Sequence, residues 1–228
     1  MRTPELPNSR TPSPMPLDRL IIFTRYPEPG KAKTRLIPAL GAEGAAAIHQ
    51  QMADHTLRQV QALQFQHPVC VEVRFAGGNR DLMQRWLGTD LMYTVQGEGD
   101  LGDRMARSFQ SAFNSGVDRA LIIGTDCPDL NASLLEQAFC ELEQHDLVLG
   151  PASDGGYYLI GMRYLIPQLF IDIAWSTATV LERTLAIAEQ LNLSVALLPV
   201  LSDVDYPADL EIWERIAAGR GEYRDRNL

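Results

Sequence analysis

The sequence predicts a single α/β domain whose mostly parallel sheet is covered by helices on both faces. Three observations support this prediction. The 228 residues suit one domain and are enough to bury a sizeable core. Short apolar runs alternate with longer segments of helical period, and helical crossovers of this kind join parallel strands. Hydrophobic residues make up 46% of the chain and charged residues 21%, as in ordinary soluble globular proteins.

The first 17 residues are predicted to form a flexible arm that precedes the domain of residues 18–228. Residues 1–16 contain five prolines among polar neighbours, a composition that does not build a packed core. The N-terminus lacks the apolar stretch of a secretory signal, and no segment approaches the ~20 apolar residues of a membrane span. We therefore expect neither a secretory leader nor a transmembrane helix.

Charge and cysteine content exclude several classes of protein. The 20 Lys and Arg residues stand against 29 Asp and Glu residues, a net charge of -9, so we expect no nucleic acid as a partner. The three cysteines, Cys70, Cys127 and Cys140, are widely spaced and include no CxxC pair. Neither a disulfide framework nor a cysteine zinc site is indicated, and a cytoplasmic location is expected.

In the first half of the chain, strands are predicted where apolar runs are short and bounded by turn residues. Residues 19–24 form a β-branched run that the prolines of YPEPG stop. A helix is predicted over residues 41–63, where apolar side chains share one stripe. Strands over 68–76 and 90–95 flank a short helix over 81–87, and a helix over 101–113 follows with Asp103 in its first turn.

In the second half, residues 119–126 are predicted to form the central strand, since residues 120–124 carry no polar side chain. A helix over 132–143 and strands over 146–150 and 157–162 follow. Ser176 is predicted to cap a helix, which precedes a strand over 194–200 and a last helix from about Ala208. Strand ends are where ligands collect in such folds, and the polar segments below follow strands.

The first of these segments, TRYPEPGKAKTRL, is a basic loop in an otherwise acidic protein. It places Arg25, Lys31, Lys33 and Arg35 around Gly30 directly after the first strand. Arginine forks and lysine ammonium groups suit a diphosphate, so these five residues are predicted to bind one. The alternative is a solvated basic loop. The loop is not a Walker A motif, because GxxxxGK[ST] is absent.

Acidic residues follow two other strands. Asp126 comes directly after the central strand, where a carboxylate suits Mg²⁺ or Mn²⁺, and Asp205 is predicted to reach the same ion. Asp129 is expected to cap the following helix instead, and Asp209 to lie in the first turn of the last helix. Cys127 is expected to be a buried structural residue. No histidine shows ligand spacing, and surface or helix-face positions are expected for all four.

The segment GPASDGGYYLIG has two interpretations. Asp-Gly-Gly between apolar runs is a strong hairpin signal. In the functional interpretation, Gly155 and Gly156 let a sugar or nucleotide approach the backbone, with Tyr157 packed beside it. Asp154 then accepts hydrogen bonds from hydroxyl groups, and it is the candidate general base because it is the acidic residue of this loop.

Taken together, these segments resemble the nucleotide-diphospho-sugar transferase superfamily, which has a Rossmann-like fold of the glycosyltransferase A type. More narrowly, the chain resembles a bacterial family of small candidate glycosyltransferases, first known as a domain of unknown function and partly linked to arsenosugar biosynthesis. The match spans residues 20–210. Its motifs are FTRYPEPGKAKTRL, GDLGDRM, IIGTDCPDL, SDGGYYLIG, the WST of residues 175–177, and DVDYPADL.

The resemblance implies a divalent metal ion at Asp126, helped by Asp205, and a donor diphosphate over the basic loop. It predicts a metal-dependent glycosyltransferase that passes a sugar from a nucleotide-sugar donor to a small-molecule acceptor. Many such enzymes carry Asp-x-Asp, whereas here Asp126 and Asp129 are separated by two residues, as in the related nucleotidyltransferases. Nucleotidyl transfer with release of pyrophosphate is therefore the alternative activity. A noncatalytic module that binds sugar nucleotides is the alternative of another class.

Overall fold

The computed structural model describes residues 17–225, so residues 1–16 of the predicted arm lie outside the described part. Each predicted strand and helix is present. The strands are β1 (Asp18–Arg25), β2 (Val69–Ala76), β3 (Met92–Val95), β4 (Arg119–Ile123), β5 (Leu147–Pro151), β6 (Tyr157–Met162) and β7 (Val195–Leu197). The helices are α1 (Ile37–Gln64), α2 (Arg80–Leu87), α3 (Leu101–Asn114), α4 (Ala132–Glu141), α5 (Val180–Gln190) and α6 (Leu210–Asp225).

The strands form one seven-stranded sheet in the order β3-β2-β1-β4-β6-β5-β7. All neighbouring pairs are parallel except those of β6, which runs antiparallel to both β4 and β5. The predicted α/β fold with a mostly parallel sheet is confirmed. Because β6 is reversed, its first residues lie at the same edge of the sheet as the last residues of β1 and β4.

Helices cover both faces of the sheet, as alternation along the strands requires. In β1, Leu20 and Ile22 pack on one side with residues of α1 and α4. Ile21 and Phe23 pack on the other side with residues of α3 and α5. All five residues of β4 are buried, which agrees with its central position. No helix among residues 17–225 has the length and apolar character needed to cross a membrane.

A buried ion pair joins the first residues of β1 and β4 at the amino edge of the sheet. Asp18 is only 1% exposed, and both of its oxygens accept hydrogen bonds at 2.7 Å from the Arg119 guanidinium. The Nε2–H of His67 donates to the same carboxylate at 2.6 Å. Asp18 and Arg119 are also register partners in the sheet. This network aligns the two strands whose opposite ends carry the basic loop and Asp126.

The starts of three helices differ in detail from the prediction. Asn131, not Asp129, caps α4, since its side-chain oxygen accepts from the Leu134 amide, and Asp129 instead pairs with Arg215. Ser176 does not cap α5: its φ is +64°, and the helix begins at Val180. α1 starts at Ile37 but has a break at Gly41, where φ is 72°. Its long regular part therefore begins near the predicted start.

Candidate functional site

A cleft of about 620 Å³ opens at the carboxyl edge of the sheet. The segments that follow β1, β4 and β5 line it, together with the first residues of β6. Its volume lies in the range of pockets that hold small molecules. Most of the predicted site residues line this cleft: Arg25, Lys31, Lys33, Arg35, Asp126, Asp154, Gly156, Tyr157 and Asp205.

The lining of the cleft carries charged side chains of both signs. Its cationic part comes from the basic loop, whose Arg25, Lys31 and Arg35 side chains are exposed. Its acidic part comes from the β5–β6 turn and the segment before α6, with Asp154 and Asp203. A molecule that carries both phosphate and hydroxyl groups matches this lining, because cations bind phosphates and carboxylates accept hydrogen bonds from hydroxyls.

Lys33 lies between the two carboxylates that were predicted to hold a metal ion. Its ammonium nitrogen is 2.8 Å from Asp126 Oδ1 and 2.8 Å from Asp205 Oδ1, and it donates to the Val204 carbonyl oxygen at 2.7 Å. The Lys33 side chain is only 5% exposed. Of the predicted diphosphate ligands, Lys33 and Arg35 thus both contact carboxylates, and Lys33 is the buried one.

The electrostatics of this cluster favour the charged forms of its members. Burial works against the charge on Lys33, but Asp126 and Asp205 outweigh it and hold the pKa of Lys33 above its usual value. Burial likewise opposes ionisation of Asp126, but the adjacent Lys33 ammonium keeps the pKa of Asp126 below its usual value. The three side chains therefore form a mutually stabilised ionic cluster.

The local backbone brings this cluster together across more than 170 residues. Lys33 has φ 46° and ψ 48°, a left-handed conformation that is uncommon for residues other than glycine. The Val204 amide donates to the Asp126 carbonyl oxygen at 2.9 Å, which fixes the segment before α6 against the end of β4. The Asp209 carboxylate accepts from the amides of Asp205 and Tyr206 and orders the same segment.

The cluster does not fit a divalent ion bridging Asp126 and Asp205. Asp205 uses one oxygen for Lys33 and the other for Arg35, whose guanidinium is 2.7 Å away. Asp126 Oδ1 is buried against the ammonium, although its side chain as a whole is 47% exposed. Among the described residues, no group of three or more His, Cys, Asp or Glu side chains could hold a metal ion.

The remaining cations of the basic loop are held loosely or not at all. Lys31 pairs with Glu28 at 2.9 Å, and both side chains are exposed. The Arg35 guanidinium lies 5.2 Å from the centre of the Tyr206 ring and is half exposed. Gly30 does not line the cleft; its φ of 80° places it in the turn that orders the loop. Exposed pairs of this kind exchange partners at little cost, so these side chains are free to meet a ligand.

The β5–β6 turn joins antiparallel strands, so the hairpin interpretation of Asp-Gly-Gly is confirmed. The Gly156 amide donates to Asp154 Oδ1 at 2.8 Å, which leaves the second oxygen of Asp154 for other partners. Gly155 does not line the cleft. With φ +90°, it faces the chain itself: a Cβ there would lie 2.1 Å from the Ala178 carbonyl oxygen. The close backbone approach at Gly155 is therefore to Ala178.

We expect Gly155→Ala to destabilise the protein more than Gly116→Ala. Both glycines have positive φ, but nothing lies within 4 Å of a Cβ at Gly116. The Gly116 variant thus measures backbone strain alone, whereas the Gly155 variant adds an overpacking cost of about 1–3 kcal/mol. Urea unfolding followed by circular dichroism gives both values. Equal losses would mean that the contact with Ala178 relaxes freely.

Asp203 is a site residue that the sequence analysis did not select. It is half-buried in the lining of the cleft. Burial raises the pKa of Asp203, and the negative charges of Asp154 and then Asp205 raise it further. A carboxyl group with a raised pKa next to a second carboxylate is a common feature of sites that move protons.

Asp203→Asn should stabilise the protein near neutral pH and lose this advantage in acid. Because the pKa of Asp203 is raised in the folded state, ionisation costs stability as pH increases from the ordinary aspartate pKa through the folded value. The variant has no such cost. Melting temperatures of variant and wild type between about pH 3 and pH 8 test this, because that range starts below the ordinary aspartate pKa. A difference in melting temperature between Asp203→Asn and wild type that decreases with increasing pH would contradict this prediction.

Three further lining residues, His49, Gln96 and Arg104, also escaped the sequence analysis. His49 is buried, not on the surface, and its Nε2–H donates to the Arg25 carbonyl oxygen at 2.9 Å. Burial lowers its pKa. The sequence signal that could have indicated its burial is its position on the apolar stripe of α1.

Gln96 follows β3, so the rule that ligands collect at strand ends could have found it. Arg104 donates a hydrogen bond to the Gln96 side-chain oxygen at 3.3 Å.

Comparisons with known proteins identify a family and several solved structures similar to this chain. The model of a family described as an uncharacterized protein conserved in bacteria (DUF2064) matches residues 56–177, more than half of the chain. A crystal structure of a candidate nucleotide-diphospho-sugar transferase from Desulfovibrio desulfuricans G20 is 35% identical, covers 84% of each chain and superposes with a TM-score of 0.78. No curated protein matches the sequence.

More distant solved structures share the fold. Glucosyl-3-phosphoglycerate synthase from Mycobacterium tuberculosis, solved with Mn²⁺ and UDP, is 10% identical, covers 86% of this chain and 74% of its own, and has a TM-score of 0.55. The inositol-1-phosphate CTP transferase from T. maritima is 14% identical, covers 88% and 95%, and has a TM-score of 0.53. With the family match and the 35% identical structure, the chain belongs to the DUF2064 family, within the nucleotide-diphospho-sugar transferase superfamily that its motifs predicted.

Proposed function

We propose that the protein is a glycosyltransferase that takes a sugar from a nucleotide-diphosphate donor and passes it to a hydroxyl group of a small acceptor. The observation that carries the proposal is that one cleft is lined both by exposed cations of the basic loop and by the carboxylates Asp154 and Asp203. The 35% identical candidate nucleotide-diphospho-sugar transferase supports the same class of donor.

In this proposal the donor diphosphate lies against Arg25, Lys31 and Arg35. Their side chains are exposed in the cleft, and they carry the forked and point-like donors that phosphates accept. Negative charge builds up on the diphosphate as the glycosidic bond breaks. Cations at that position lower the barrier, because they offset the negative charge as it appears.

The sugar and the acceptor lie toward Asp154 and Asp203. Asp154 has one oxygen held by the Gly156 amide and one free, so it can accept a proton from the attacking hydroxyl group as a general base. Asp203, beside it, strengthens the negative potential that favours this transfer. Tyr157 and Trp175, whose rings meet edge to face at 6.5 Å, line the same part of the cleft and give it an apolar surface.

The metal ion that the resemblance implies is not part of this mechanism. Lys33 lies where the ion would bridge Asp126 and Asp205, so no step is assigned to a divalent ion. The Mn²⁺ of the M. tuberculosis enzyme belongs to a protein that shares only the fold. In the proposed mechanism, the positive side chains of the basic loop supply the charge that offsets the diphosphate.

Nucleotidyl transfer is the second candidate. The same cations suit a triphosphate, and the T. maritima CTP transferase shares the fold. This alternative also explains why two residues, instead of the one in Asp-x-Asp, separate Asp126 from Asp129. Nucleotidyl transfer breaks the bond between the α- and β-phosphates of a triphosphate and releases pyrophosphate. Glycosyl transfer breaks the bond between the sugar and the diphosphate and releases a nucleoside diphosphate.

A product assay on the wild type separates these activities. The protein is incubated with a panel of nucleotide-diphosphate sugars, and separately with each nucleoside triphosphate plus sugar phosphates. Release of a nucleoside diphosphate from a sugar nucleotide supports the proposal. Release of pyrophosphate supports nucleotidyl transfer instead. If a sugar nucleotide raises the melting temperature but no product forms with any acceptor, the protein is a noncatalytic binding module.

A further inference from the structure

The Lys33 ammonium group already has three oxygen partners within its own chain: it donates hydrogen bonds to Asp205 and Val204 and forms an ion pair with Asp126. It has three N–H bonds, and the three partner oxygens, Asp126 Oδ1, Asp205 Oδ1 and the Val204 carbonyl oxygen, lie within 2.8 Å of its nitrogen. Lys31, two residues earlier in the same loop, is 62% exposed and has only Glu28 as a partner. The two lysines therefore differ in role, although they look alike in sequence.

The loop is shaped to keep Lys33 in this position. Its left-handed backbone turns the side chain away from solvent, and the side chain is 5% exposed. The two carboxylates would repel each other in this partly buried setting without a cation between them. The ammonium supplies that cation from within the chain.

We infer that Lys33 is the built-in counter-ion of Asp126 and Asp205 and takes the place of a divalent metal ion between them. The two carboxylates and the Val204 carbonyl are hard oxygen donors, as Mg²⁺ and Mn²⁺ require, but the ammonium already holds them. A divalent ion at this position would lie next to the positive charge of the Lys33 ammonium. The free protein should therefore not bind a divalent ion there, and removing the ammonium should create a metal site.

Titration with MnCl₂ alone, followed by the electron paramagnetic resonance signal of free Mn²⁺, tests this on the full chain without nucleotide. The variants are Lys33→Met and Lys33→Asn, the second because asparagine tolerates a left-handed backbone. Lys31→Met is the matched control. We expect both Lys33 variants to bind one Mn²⁺ about 10–100-fold more tightly than wild type, the range seen when the surroundings of metal ligands change. Lys31→Met should behave as wild type, and adding Asp126→Asn to Lys33→Asn should abolish the new site.

Two results would overturn the inference. One is stoichiometric Mn²⁺ binding by the wild type that Asp126→Asn or Asp205→Asn removes. The other is Lys33 variants that are folded by circular dichroism and yet bind Mn²⁺ no better than wild type. If both Lys33 variants fail to fold, the wild-type titration decides alone, with an absence of binding as the supporting result. None of these outcomes depends on which donor the enzyme uses.

Discussion

Replacing both Arg25 and Arg35 with alanine should weaken donor binding by about 10²–10⁴-fold. Each guanidinium is expected to make a charge-assisted hydrogen bond to the diphosphate, worth about 1.5–3 kcal/mol. Both side chains are exposed, and among the described residues Arg35 pairs with Asp205 whereas Arg25 forms no ion pair; they share no partner, so their effects should nearly add. Isothermal titration calorimetry with a nucleoside diphosphate, on wild type, both single variants and the double variant, measures this.

Arg58→Ala provides the matched control, since Arg58 is an exposed arginine on α1 that does not line the cleft. It should leave the affinity unchanged. The double variant should unfold at nearly the wild-type temperature, because neither arginine is buried. An affinity within about threefold of wild type, less than the loss of one neutral hydrogen bond would allow, would show that the diphosphate binds elsewhere.

Asp18→Ala should be the most destabilising single substitution that we propose. It leaves the Arg119 guanidinium, which is 8% exposed, without its two 2.7 Å partners at the base of β1 and β4. Removing one member of a buried ion pair costs about 3–5 kcal/mol. A chain of this length loses about 2–4 °C of melting temperature per kcal/mol, so the shift is easily measured by circular dichroism.

Asp118→Ala is the control that distinguishes the loss of the buried ion pair from the loss of an exposed carboxylate nearby. Asp118 directly precedes β4 and accepts from the Leu17 amide at 2.7 Å, but it is exposed. Its removal should cost only about 0.5–1.5 kcal/mol, as for an ordinary hydrogen bond. Similar losses for Asp18→Ala and Asp118→Ala would mean that Arg119 finds adequate new partners in Glu143 and the Phe139 carbonyl.

The sequence predicted the order of elements well because it depends on local patterns. The apolar run of β4 and the stripe of α1 are each contained in one segment, and the predicted bounds differ from the observed ones by a few residues. Shorter signals were less reliable. Asn131 and Asp129 are both good helix caps, and only the course of the chain decides between them. The strand predicted over 119–126 ends at Ile123, which places Asp126 in the loop.

The location of the site was predictable, but its internal pairing was not. Strand ends of a parallel sheet meet at one edge, so the basic loop, Asp126 and the Asp154 turn were expected to lie together, and they line one cleft. Which cation meets which carboxylate depends on contacts across more than 170 residues, such as that between Lys33 and Asp205. No local pattern distinguishes Lys33 from Lys31, and the left-handed backbone that directs Lys33 inward has no signature in the sequence.

The direction of β6 determines which of its two flanking segments lines the cleft. Because β6 is antiparallel to β4 and β5, the turn that precedes it, rather than the segment that follows it, reaches the cleft. The turn with Asp154 can thus change its length or composition without disturbing the basic loop, which is more than 100 residues earlier. In the proposed reaction, substitutions in this hairpin should therefore alter the choice of acceptor more than the choice of donor.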